Sequence, residues 1–300
     1  MNASPAPTAT IPHDSDRRFG GVARLYGRAA LARFRTAHVG VIGIGGVGSW
    51  VAEALARSAI GRITLIDLDH VAESNINRQV HALEPELGKA KVSAMAERIR
   101  AINPDCQVDE IEDFVEPDNL EATLARGYDF VVDAIDGVKA KAALIAFCRE
   151  RGIPLITVGG AGGQMDPTRV QVRDLSRTEQ EPLLARVRKM LRQKYGFPRS
   201  VKQKFHIEAV FSDEQIRMPT AEEAACDVDS HEATDPAGIS GLNCAGYGSS
   251  VCVTATFGLV AASRVLLALC DPSFETQKRR GAEADEEKQQ AAANQDIPAD

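Results

Sequence analysis

Residues able to grip and polarise a polyphosphate recur at close intervals in the first half of the chain. The run Asp67-Leu-Asp69-His-Val-Ala-Glu-Ser-Asn75-Ile-Asn-Arg78-Gln79 is followed by Lys91. A carboxylate such as Asp67 or Asp69 can take the hydroxyls of a ribose. Asn75, Arg78, Gln79 and Lys91 supply donors and positive charge for phosphate oxygens. A dinucleotide dehydrogenase needs only the acid, whereas the cations that follow suit a triphosphate whose pyrophosphate departs with its charge neutralised. Farther on, Val131-Val-Asp133-Ala-Ile-Asp136-Gly puts two more carboxylates at the end of an apolar run. Asp136 is the candidate magnesium ligand, since magnesium takes one or two carboxylates and completes its shell with phosphate and water. Asp133 either assists it or caps the following helix.

The elements that must position these groups are legible in the alternation of the chain. Val39-Gly-Val-Ile-Gly43-Ile-Gly45-Gly46-Val-Gly48 reads as an apolar strand, a glycine turn and a helix start. Gly43 allows the tight turn, Gly45 and Gly46 admit a phosphate to main-chain N–H groups, and Gly48 lets the helix lie on the strand. The helix then aims its positive end at the anion. Strands are predicted at 38–42, 62–66, 107–111, 130–132 and 154–158, with helices at 47–58, 89–102, 119–125 and 139–151. This is an α/β, Rossmann-like, doubly wound and mostly parallel sheet with its ligand at the strands' C-terminal edge. One adenylation domain over 17–272 is expected, with 164–250 as a substrate-facing insertion on it. Residues 169–173 alternate as a half-exposed strand. The ends, 1–16 and 273–300, have the composition of unstructured tails.

Taken together, these motifs resemble the ThiF family, which includes the ubiquitin-activating enzymes and the adenylyltransferases of the molybdopterin and thiamine pathways. From about Arg18 to Gly163, Gly-x-Gly-Gly-Val-Gly, Asp-x-Asp, Ser-Asn-x-x-Arg-Gln, Gly-Lys-x-Lys and Asp-x-x-Asp stand in family order. The resemblance implies that Asp67 binds ribose, that Asn75, Arg78 and Lys91 bind phosphate, and that Asp136 holds magnesium. Arg24, in Arg-Phe-Gly-Gly-Val-Ala-Arg-Leu-Tyr, matches an arginine that in the family reaches the partner subunit's ATP, which implies a homodimer. Family members share the attack of a substrate carboxylate on the α-phosphate of ATP. The branch that this chain looks like activates the threonyl carboxylate of threonylcarbamoyladenosine in tRNA, after which a group of the same side chain closes a ring with loss of water. ATP, magnesium and tRNA are the implied ligands, and a sulfur-transfer partner of the cysteine desulfurase type is compatible with the branch.

Cysteine spacing and charge bear on that expectation. Carrier-activating relatives hold zinc with two Cys-x-x-Cys pairs. The six cysteines here, Cys106, Cys148, Cys226, Cys244, Cys252 and Cys270, include no such pair, so zinc is not expected. Cys226 and Cys244 fall where ubiquitin-type relatives keep a thioester nucleophile, although cyclisation of an adenylate needs no thiol. Scattered cysteines with no signal peptide point to a reducing cytoplasm. The net charge of −7 conceals a basic block, with Arg186, Arg188, Lys189, Arg192, Lys194, Arg199, Lys202 and Lys204 uninterrupted by acid. Arg188, Lys189, Arg192 and Lys194 are the candidate tRNA contacts, and a solvated helix face is the plainer alternative. Residues 251–270 form an apolar run broken by Arg264, read as a helix in the core or at a dimer seam in preference to a membrane span. Two rivals stand beside the main reading: adenylation of a carrier protein's C-terminal glycine, and an NAD-dependent oxidoreductase using the same glycine loop.

Overall fold

The computed structural model describes residues 14–200, 202–218 and 247–273. Strands buried on both faces lack polar alternation, and β1 (His38–Ile42) and β4 (Phe130–Asp133) are buried at every position. Between and around them run α1 (Ser15–Tyr26), α2 (Arg28–Thr36), α3 (Gly48–Arg57), β2 (Arg62–Ile66), α4 (Lys91–Ile102), β3 (Gln107–Ile111) and α5 (Leu120–Leu124). After β4 come α6 (Val138–Glu150), β5 (Leu155–Val158), β6 (Val170–Asp174), α7 (Pro182–Lys194), β7 (Glu208–Ser212) and α8 (Val251–Cys270). The strands form one seven-stranded sheet in the order β3-β2-β1-β4-β5-β7-β6, parallel except for β6 against β7.

The predicted alternation therefore stands, with one strand more than the sequence suggested. β7 enters between β5 and β6, pairing Thr157 with Ala209 and Val172 with Val210. Its residues Glu-Ala-Val-Phe-Ser form a five-residue run without strict polar alternation, so periodicity alone does not mark them. Within 164–250, the region expected to face substrate, two segments are thus strands of the sheet, β6 at its edge and β7 inside it. Cys226, Cys244 and the acidic residues of 222–235 lie outside the described residues.

Helices cover both faces. On one, Phe34, Leu55, Met95 and Phe257 from α2, α3, α4 and α8 close over Ile63 and Leu65 of β2. On the other, Ala142 and Ile145 of α6 pack with Leu183, Leu184, Val187 and Leu191 of α7, the apolar stripe expected of the basic segment. The run 251–270 is long and apolar enough to cross a membrane by length and composition. Here one face of it packs on α3, where a Cβ at Gly258 would sit 2.6 Å from the Val47 carbonyl oxygen. Arg264 meets Glu208 of β7 at 2.6 and 2.9 Å. Its outer face leaves Val251, Leu259 and Leu267 exposed.

Candidate nucleotide site

Ile42 of β1 and Asp133 of β4 are paired across neighbouring strands, so the loops that follow them leave the same sheet edge side by side. This is the point where strand order reverses, the usual ligand crevice of such sheets. The two loops touch. Gly43 has φ +86°, and a Cβ there would lie 2.8 Å from the Ala134 carbonyl oxygen, while one at Gly48 would lie 1.7 Å from that of Gly43. Neither position admits a side chain without moving backbone. Among the described residues nothing approaches the Cβ position of Gly45, and no side chain caps the start of α3. The loop and helix start are thus shaped to receive an anion.

Groups from the β2–α4 crossover close over this loop. The carboxylate of Asp67 accepts the Ile44 N–H at 2.5 Å and the Asp69 N–H at 2.9 Å. Burial pushes it above the usual carboxylate range, against the pull of Lys91. Asp67 therefore shapes the loop first, and each oxygen keeps a lone pair for a ribose hydroxyl. Asp69, expected on the nucleotide, instead holds Lys91 at 2.6 Å, where that amine's side chain is only 8 % exposed. Arg78 lies over Gly46, its Cγ 3.2 Å from where a Cβ would stand. Its guanidinium donates to the Ser74 carbonyl at 2.6 Å and to Asn77 Oδ1 at 3.0 Å. Trp50, read from sequence as core packing, donates its indole N–H to the Arg78 carbonyl at 2.9 Å and so fixes that roof.

Other expected groups are placed differently. Asn75 is buried, with its Oδ1 accepting the Ala72 N–H at 3.1 Å, so its first task is to close the turn before Arg78. Gln79 is buried, and its Oε1 has no partner among the described residues. Asp133 neither assists Asp136 nor caps α6, whose N-cap is Gly137. It is wholly buried, bound to Lys141 at 2.9 Å and to the Thr157 hydroxyl at 2.7 Å. The reason is β4 itself, which runs one residue longer than predicted and carries Asp133 under the edge. Asp136 stays exposed above it, with no side-chain partner among the described residues. An exposed carboxylate of this kind can serve as one ligand of a magnesium ion whose shell is completed by phosphate oxygens and water.

Lys141 and Glu181 were missed by sequence reading. Lys141 is a lone cation on the apolar face of α6, the only trace it leaves in the sequence. Glu181 caps α7 ahead of Pro182, and its carboxylate accepts the N–H groups of Gly160, at 2.9 Å, and of Leu184. The glycine stretch 159–163 passes close over it, a Cβ at Gly159 falling 2.9 Å from Glu181 Cγ.

His81, two residues beyond Gln79, has both ring nitrogens unpartnered among the described residues and is 2 % exposed. Burial, with Lys91 and Arg98 nearby, lowers its pKa from 6.5 to about 4. Between those values the unfolded chain takes up the proton more readily, so this contribution to stability is complete above pH 6.5 and lost as pH falls toward 4. By about pH 4.5 the loss is ~2–3 kcal/mol. In urea titrations His81→Leu should therefore lose less stability on acidification than the parent by that amount. Equal acid sensitivity of the two proteins would contradict this.

Two sets of residues stand apart from the crevice. α1 lies at the opposite end of the sheet, where Arg18 donates to the Ile102 carbonyl at the end of α4. Arg24, in the last turn of α1, is exposed and has no hydrogen-bond or ion-pair partner among the described residues. The basic face of α7 also divides. Arg188 donates to the Thr178 hydroxyl and is partly desolvated, which lowers its pKa. Arg192 donates to the Pro198 carbonyl at 3.2 Å and stacks 5.2 Å from the Phe205 ring centroid. Arg186, Lys189 and Lys194 project into solvent.

Residues 20–297 match the ThiF family. The chain is 52 % identical to the tRNA threonylcarbamoyladenosine dehydratase of Haemophilus influenzae, over 84 % of this chain and 92 % of that protein. With the dehydratase of Escherichia coli it shares 52 % identity, over 83 % and 92 % of the two chains. The E. coli dehydratase crystallised with ATP superposes with a TM-score of 0.75 at 48 % identity, covering 87 % of this chain and 97 % of that one. A second crystal structure of that enzyme, with AMP, superposes equally well.

Proposed function

The chain belongs to the ThiF family, and from that premise we propose that it is an ATP-dependent tRNA threonylcarbamoyladenosine dehydratase. The observation that carries this reading is the meeting of a glycine loop roofed by Arg78 with an open carboxylate, Asp136, on neighbouring strands, in a chain matching dehydratases over most of its length. The glycine loop and the start of α3 receive phosphate, Asp67 takes the ribose, and Arg78 and Lys91 offset charge on the departing pyrophosphate. Magnesium held by Asp136 would neutralise phosphate oxygens. The threonyl carboxylate attacks the α-phosphorus, the bond to the bridging oxygen breaks, and pyrophosphate leaves. A group of the same side chain then attacks the acyl carbon and expels AMP, so that one water is lost from the nucleoside. Mass analysis of nucleosides after incubation with tRNA and ATP should show that loss, with AMP and pyrophosphate as co-products. ADP as the sole nucleotide product would overturn the reading.

The protein is further proposed to act as a homodimer in the cytoplasm. Arg24 is exposed and has no partner among the described residues, so it is open to a role at the partner's crevice. Mixed dimers of Arg24→Ala and Lys91→Met chains should then recover activity that neither variant has alone, and a light-scattering mass of one chain would end that proposal.

For tRNA, the exposed cations are the ones that count. Replacing Arg186, Lys189 and Lys194 by Gln should weaken tRNA binding and flatten its dependence on salt, with the thermal midpoint unchanged. Arg188→Ala should lower the midpoint, because the Thr178 contact and the buried stem go with it. Unchanged affinity of the triple variant at low and moderate salt would reduce the block to a solvated surface.

A further inference from the structure

An ammonium group has three protons to donate, and those of Lys141 all go to one turn. Its Nζ donates to Asp133 Oδ1 at 2.9 Å, to the Ile135 carbonyl at 2.8 Å and to the Asp133 carbonyl at 3.3 Å. The same turn is held from its other sides. Asp133 Oδ1 accepts the Ile135 N–H at 3.2 Å, and Thr157 of β5 donates to Oδ2. From β1, the Ile42 carbonyl accepts the Ala134 N–H at 2.8 Å. Lys141 and Asp133 are both fully buried. The charge of Lys141 also acts on the buried carboxylate of Glu181, which holds the neighbouring loop at Gly160.

Such a pair need not add stability, because replacing a buried ion pair by neutral groups is often neutral or stabilising. What the pair does supply is a turn at 133–135 braced by hydrogen bonds, directly before the exposed Asp136. We infer that Lys141 is a positioning residue, which locks the turn at 133–135 so that Asp136 meets the metal at a set height above the glycine loop. The inference rests on the reading of Asp136 as magnesium ligand.

The test compares the parent with Lys141→Met and with the double variant Asp133→Asn/Lys141→Met, which removes both charges together and so spares the fold an unpaired one. In the double variant the magnesium concentration for half-maximal ATP–pyrophosphate exchange should rise at least tenfold while tRNA affinity is unchanged. A merely structural residue would lower the active fraction without moving that half-saturation point. As a readout independent of activity, deuterium uptake at the amides of 134–137 should quicken in the metal-free double variant, with β1 and α3 unaffected. In the parent, the Ala134 and Ile135 amides should exchange as slowly as those of β4, and fast exchange there would overturn the inference without any variant. A double variant with parental magnesium requirement and parental uptake would also overturn it, provided that Asp136→Ala is impaired. If Asp136→Ala exchanges pyrophosphate normally, it is the underlying reading of Asp136 that falls.

Discussion

Asp136→Ala is expected to bind tRNA as the parent does and to form adenylate slower by a factor on the order of 10²–10³, by analogy with the loss of a single oxyanion-hole donor. The carboxylate is exposed and has no side-chain partner among the described residues, so its removal leaves no buried group unsatisfied. The thermal midpoint should accordingly stay within the small range typical of surface substitutions. ATP–pyrophosphate exchange with tRNA present measures the step directly. Exchange at the parental rate would remove Asp136 from the mechanism.

Lys91→Met should cost a similar factor, about 2.7–4 kcal/mol of transition-state stabilisation. Lys91 opens α4, and its amine is tied to Asp69 at 2.6 Å. Met keeps the apolar stem in its 8 % exposed slot, and the abandoned Asp69, 56 % exposed, can hydrate. The substitution leaves no charge buried without a partner, so the fold should survive. The loss should appear in single-turnover AMP formation, in the chemical step more than in tRNA affinity. Arg at this position should not restore activity, since its planar fork is larger than the slot. An unaltered rate of AMP formation would make the Lys91–Asp69 pair a tether for the β2–α4 crossover and nothing more.

Much of the site was legible because its parts are local. Gly43 to Gly48 must follow a strand and open a helix, and a twenty-residue interval to Asp67 is what one β–α–β unit needs. The resemblance of these motifs to the ThiF family also held, as the match over residues 20–297 shows. Individual roles were less visible. Asn75 reads as a phosphate ligand but closes a turn, Trp50 reads as packing but anchors Arg78, and Asp69 holds Lys91. In each case the partner is a main-chain group or a side chain brought near by a crossover, which a linear spacing does not reveal.

The chain's own order of residues determined the architecture, because apolar runs of strand length alternating with helical stripes admit few packings other than a doubly wound sheet. It also determined the family and the edge at which the candidate site gathers. Only the tertiary structure decided which of two nearby carboxylates is open. Asp133 lies within β4, and β5 and α6 bring Thr157 and Lys141 around it, whereas Asp136 lies past the strand's end in water. Burial is a property of what the neighbouring strands and helices bring to a position, so three residues of separation in the chain become opposite chemical fates.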